Sequence, residues 1–109
     1  MKAIVSEYAG DADLAPIIKE FVSCLPERTK AMRDRFLSGN FPDLERLAHQ
    51  LKGAGGSYGY PMLTEVAGSL EDTSRVGDRD GAQKVLGDLE KMCEAIAEGM
   101  RISVEAGRV

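Results

Sequence analysis

Apolar side chains recur every three or four residues along most of the chain, which is the spacing of one buried face on a helix. Leu14, Ile17, Ile18, Phe21, Cys24 and Leu25 trace the first such face. Asp13 stands where a cap belongs, and Pro16 falls in the opening turn, where a missing N–H costs little. Pro26 marks a break and suits the first turn of a second helix. That helix turns Leu25, Thr29, Met32 and Phe36 inward and carries Arg28, Lys30, Arg33 and Arg35 on its other sides. Gly39-Asn40 ends it, because Gly fits a left-handed C-terminal cap and Asn can cap the next helix. A third helix is expected from about Phe41-Pro42-Asp43. Its stripe is Leu44, Leu47, Ala48 and Leu51, continuing through Ala54 or Gly55 to Tyr58. Gly59 and Pro61 punctuate a turn, and Leu63, Val66, Ala67 and Leu70 face inward from a fourth helix. After a polar turn from Gly77 to Gly81, with Asp78 or Asp80 as cap, Ala82, Leu86, Leu89, Cys93, Ile96 and Met100 give the clearest stripe of all. Residues 1–10 fit either an extended segment or a short helix, and fraying is expected there and at 106–109.

No two-residue alternation persists, so the pattern implies an all-α fold: an antiparallel helical bundle filling a single domain over residues 1–109. A chain of 109 residues can bury one modest core. Its 14 Lys and Arg against 18 Asp and Glu leave a formal charge of -4 without a basic tract. Nucleic-acid binding and a lipid-surface anchor are thereby disfavoured, since both need clustered cations. No apolar run approaches the roughly twenty residues of a membrane span, and no leader pattern opens the chain. A cytoplasmic location is the expectation, and Met1 favours a free-standing protein over a piece of a larger kinase. Cys24 and Cys93 are too few and too distant for a disulfide framework, and among apolar neighbours they read as core thiols. One histidine and two scattered cysteines make no zinc set.

That histidine, His49, is the informative residue. At roughly 100° per residue it lies about 200° from both Leu47 and Leu51, which define the buried stripe, so it points to solvent. Glu45, Arg46, Lys52, Gly53 and Gly56 share its side of the helix. Three glycines, Gly53, Gly55 and Gly56, each cost about 0.5–1 kcal/mol relative to Ala inside a helix. Either the helix ends near Lys52 and a Gly-rich loop follows, or it runs to about Ser57. In the second case Gly55 permits close helix packing, and Gly53 and Gly56 leave room for something to approach His49. A neutral imidazole is a good nucleophile near neutral pH. The Lys52 ammonium disfavours a second positive charge beside it and can hydrogen-bond an anion on the ring. A solvated surface histidine is the plain alternative.

Residues 48–59 read Ala-His-Gln-Leu-Lys-Gly-Ala-Gly-Gly-Ser-Tyr-Gly. This closely resembles the signature of histidine-containing phosphotransfer (HPt) domains: a His, a Lys three residues on, a Gly directly after it, and a later Gly at the helix-ending turn. His49, Lys52, Gly53 and Gly59 occupy those positions. Phe21-Val22 and Leu25-Pro26-Glu27-Arg28 look like the family's opening helices.

The resemblance implies an up-down four-helix bundle with an additional N-terminal helix. It also implies that His49 accepts a phosphoryl group on Nε2 from a receiver-domain aspartyl phosphate and passes it to another receiver aspartate. Lys52 would neutralise phosphoryl oxygens, and Glu45, Arg46, Gln50, Gly53 and Gly56 would meet the partner. Partners would be response-regulator receiver domains and a sensor or hybrid histidine kinase. No cofactor is expected on this chain, and Mg²⁺ would sit on the receiver. The absence of a Walker-type loop or kinase motif set agrees with a carrier lacking autonomous kinase activity.

Hairpin geometry places His49 opposite about residue 70 of the next helix, so Gly68, Glu71 or Asp72 would flank it. A carboxylate there could orient the imidazole through Nδ1, although a solvated charge is the commoner outcome. The basic side of the second helix could rim an acidic partner's docking surface or be an ordinary solvated face. Two other functions compete: a non-catalytic helical adaptor with an incidental surface histidine, and a small Cys–His hydrolase that lacks any visible base-orienting partner.

Overall fold

The computed structural model describes residues 2–106, and the expectation of fraying at 107–109 lies outside them. Five helices occur among the described residues, with no strand: α1 (Ala15–Ser23), α2 (Leu25–Leu37), α3 (Phe41–Ser57), α4 (Pro61–Arg75) and α5 (Arg79–Glu105). None is long and apolar enough to cross a membrane. Their ends follow local chemistry. Gly39, Gly59 and Gly77 all take positive φ at the turns. The Asn40 side chain accepts from the Asp43 N–H at the start of α3, and Asp78 accepts from the Gly81 N–H at the start of α5. The turn expected over Gly77 to Gly81 is therefore shorter, because Asp78 caps a helix already running at Arg79.

α3 packs most extensively on α4, α4 packs on α5, and α2 touches both α3 and α5. Leu44, Ala48, Leu51, Leu63, Ala67, Leu70, Ala82, Leu86, Leu89 and Ile96 are buried between them. Two core expectations fail at α1. Its buried line is Ala15, Ile18, Phe21 and Val22, and Ile17 stays 48% exposed, because it projects about a quarter-turn off that line. Cys24 is exposed. It occupies the single-residue junction between α1 and α2, outside both helices, so the stripe of α1 does not continue through it. Asp13 does not cap α1: the cap position is Leu14, without a side-chain bond, and Asp11 accepts from the N–H groups of Asp13 and Leu14 in the turn before the helix.

The opening segment is neither helix nor strand, and it is tied down. The Ile4 N–H donates to the Ala95 carbonyl, the Ser6 hydroxyl to the Tyr58 carbonyl and the Glu7 N–H to the Gly59 carbonyl. It thus clamps α5 to the α3–α4 turn. Gly99 lets the chain pass, since a Cβ there would collide with the Ile4 carbonyl.

Candidate functional site

α3 persists through the glycines to Ser57, so His49 sits near its middle rather than at a frayed end. Its side chain is 70% exposed, on the face opposite Leu51, which is fully buried. Lys52 follows one turn later and is about half exposed. Gly53 has open space where a side chain would stand, and a Cβ on Gly56 would make only ordinary contact with Thr64. Gly55, on the inner side, is a true packing glycine: a Cβ would lie 2.8 Å from Thr64 Oγ1 and 3.0 Å from its backbone nitrogen.

Thr64 does more than fill that contact. Its hydroxyl donates to the Lys52 carbonyl at 2.8 Å and accepts from the Gly56 N–H at 2.8 Å. The hydroxyl is thereby inserted between the carbonyl and N–H that an uninterrupted α-helix would pair directly. The glycine-rich turn stays helical because α4 supplies this bridge. Nothing in the periodicity of α3 alone could have revealed it.

The largest addition to the site comes from α4. Glu71 is only 6% exposed, yet it carries a carboxylate. Its Oε2 lies 2.7 Å from His49 Nδ1, its Oε1 accepts from Lys52 Nζ at 3.2 Å, and Arg75 Nη2 approaches to 3.6 Å. Burial alone would push the Glu71 carboxyl up, but hydrogen bonds from His49 and Lys52, with the charge of Lys52, outweigh it and hold the carboxyl below its ordinary value. An ionised carboxylate can only accept, so the Nδ1 position of the ring carries the hydrogen. In the neutral ring Nε2 then keeps its lone pair, on the side away from Glu71. The hairpin geometry thus reaches the right turn of α4, with Glu71 against the ring and Gly68 beside the Lys52 stem, where a Cβ would lie 3.6 Å from Lys52 Cδ. The plain solvated charge is replaced by a buried, fully partnered one. Lys52 therefore shares the ring's surroundings with a carboxylate that the pattern along α3 does not contain.

The other residues of the histidine face divide between structure and surface. Glu45 accepts from Arg75 at 3.0 Å, and Arg46 pairs with Asp43 at 2.7 Å. Gln50 is exposed and lines a shallow cleft with Arg28, Met32 and Leu47. On α2, Arg33 is paired with Glu90 and Arg35 with Asp43, which leaves Lys30 and Arg28 as the less committed cations of the basic side. Arg28 lies over the Phe21 ring, 5.8 Å from its centre, and Phe21 stacks on Tyr58 at 4.4 Å. The described residues contain no group of three or more His, Cys, Asp or Glu placed to hold a metal ion. Burial pushes the Cys93 thiol up to about 12, aided by Glu90 and Glu94, so it is an inert core thiol at neutral pH.

A family model described as Hpt domain matches residues 16–99. No curated protein and no solved structure matches the chain.

Proposed function

The chain belongs to the Hpt domain family, and from that premise we propose that it is a phosphorelay carrier in which His49 holds the phosphoryl group. The observation that carries this reading is the display of one imidazole with Nδ1 against a buried carboxylate and Nε2 outward. His49 Nε2 attacks the phosphorus of a receiver's aspartyl phosphate, and the P–O bond to the aspartate breaks. Lys52 offsets charge on the phosphoryl oxygens as it spreads. Mg²⁺ and the acidic cluster that holds it belong to the receiver, and this chain contributes no cofactor. A second receiver, or a hybrid kinase, completes the relay in the cytoplasm.

The architecture that serves this role is an up-down four-helix bundle of α2 to α5, with α1 as the additional N-terminal helix. Support comes from the short turns joining these helices and from the closed ring of packed pairs α2–α3–α4–α5. The docking face is Glu45, Arg46, Gln50, Gly53 and Gly56, with the open space over Gly53 admitting a receiver loop. The test is transfer itself. Incubated with a phosphorylated receiver domain and Mg²⁺, the protein acquires an acid-labile, alkali-stable label, and the His49→Gln variant acquires none. Equal labelling of that variant removes His49 from the role.

A further inference from the structure

We infer that the negative charge of Glu71 keeps a proton on His49 Nδ1 throughout phosphoryl transfer, so that the group is stored as a labile phosphoimidazolium. The inference rests on the carrier reading above and concerns how long the store lasts, not whether it forms. Three observations support it. Glu71 is only 6% exposed, so its carboxylate is held by the ring and the cations around it rather than by water. Its Oε2 takes the Nδ1 hydrogen at 2.7 Å, a charge-assisted length. Its other oxygen accepts from Lys52 at 3.2 Å, so before phosphorylation both oxygens are engaged and the carboxylate already faces the ring.

The balance of the step is simple. The step starts from the neutral ring, with hydrogen on Nδ1 and a lone pair on Nε2. That pair forms the P–N bond while the P–O electron pair leaves with the aspartate oxygen of the donor receiver. The ring is now cationic, and Nδ1–H still donates to Glu71. In the return step an acceptor carboxylate oxygen bonds to phosphorus, the P–N pair goes back to Nε2, and the ring is neutral with the same hydrogen on Nδ1. No proton has to leave or arrive. A phosphoryl group on a cationic ring departs more readily than one on a neutral ring, because the leaving nitrogen reclaims its electron pair without developing negative charge. Glu71 therefore favours rapid forwarding at the expense of storage time, and it acts as a positioning residue that does not touch the phosphoryl group.

The charges that bear on this equilibrium are few. From α3 they are His49 and Lys52, Arg46 held by Asp43, and Glu45 acting through Arg75; from α4 they are Arg75 and its partner Asp72; α2, also packed on α3, adds Arg35, which Asp43 holds as well. α5, packed on the other side of α4, adds no ion pair to Glu71 among the described residues. Lys52 and Arg75 oppose a cationic ring, and the phosphoryl group itself draws Lys52 toward its oxygens. Glu71 is the one anion in direct contact with the ring among the described residues, so its removal tips the balance.

The experiment labels the whole protein with phosphoramidate, which needs no partner, and follows the ring nitrogens of phosphorylated His49 by ¹⁵N NMR across pH. Wild type is compared with Glu71→Gln and with phosphohistidine in a short peptide. The expected result is that wild type retains the Nδ1 hydrogen to a pH about one unit or more above the peptide. Glu71→Gln, which keeps a hydrogen-bonding oxygen but loses the charge, should return toward the peptide and lengthen the phosphohistidine half-life at pH 8 roughly tenfold. A wild-type ring that titrates with the peptide overturns the inference while leaving the carrier reading intact, and this outcome does not depend on how well any variant folds. A protein that takes no label on His49 instead removes the carrier reading and this one with it.

Discussion

Lys52 stands between two anions, the Glu71 carboxylate it already holds at 3.2 Å and the phosphoryl group it would meet on His49. Half exposed, it supports no core contact, so Lys52→Ala should cut phosphoryl uptake by about tenfold or more with the helical CD spectrum unchanged. A collapse of that spectrum would mean that the ammonium is structural. The orientation of His49 was legible because two leucines of the inner stripe flank it at fixed angles. The burial of Glu71 was not, because a carboxylate beside Leu70 looks like a boundary charge until the cations of α3 close over it. The exposure of Cys24 is hidden from the pattern for a related reason: periodicity follows one continuous helix, and Cys24 lies where one helix gives way to the next. A neutral alkylating reagent should therefore modify Cys24 in the native protein and leave buried Cys93 untouched until denaturant is added, as counted by mass spectrometry.

Among the elements, α3 depends on α4 for both its packing and its continuity. Gly55→Ala forces a methyl to 2.8 Å from the Thr64 hydroxyl, and it should destabilise the domain by roughly 1–3 kcal/mol in urea unfolding. Gly53→Ala, two residues away with nothing within 4 Å of the new carbon, should stabilise it by about 0.5–1 kcal/mol. On the proposed docking face the same alanine should slow transfer from a receiver, since it fills space that a receiver loop would enter. A Gly53→Ala variant that gains stability and loses no transfer rate would remove that glycine from the docking face. Helix ends at Asn40 and Asp78 could be read from the chain because caps are local chemistry. The choice between helix and loop at residues 53–56 could not, because it is decided by a hydroxyl on the facing helix, at Thr64.

At the scale of the whole molecule, the five helices are held at one end by the N-terminal strap, which no periodicity announced. Its hydrogen bonds join backbone at Ile4 and Glu7 to Ala95 and Gly59. Acid should loosen the structure progressively. The carboxyls of Asp43, Glu71 and Glu98 all lie below their ordinary values. For Asp43 and Glu98 the leading cause is a hydrogen bond from Arg35 or Arg101, respectively; for Glu71 the bonds from His49 and Lys52 overcome a larger opposing burial effect. A depressed folded value means these groups stabilise the fold fully above their ordinary values of 3.8 to 4.5 and lose that contribution as pH falls through the folded ones. The urea midpoint should accordingly decline below about pH 4.5, and less steeply in Glu71→Gln. The measurement that reaches the central claim most directly is the chemical identity of the phosphorylated atom after transfer from a receiver, read by ³¹P and ¹⁵N NMR. The geometry requires the phosphorus on Nε2 of His49, with hydrogen remaining on Nδ1. Phosphorus on Nδ1, or on any other side chain, would contradict it.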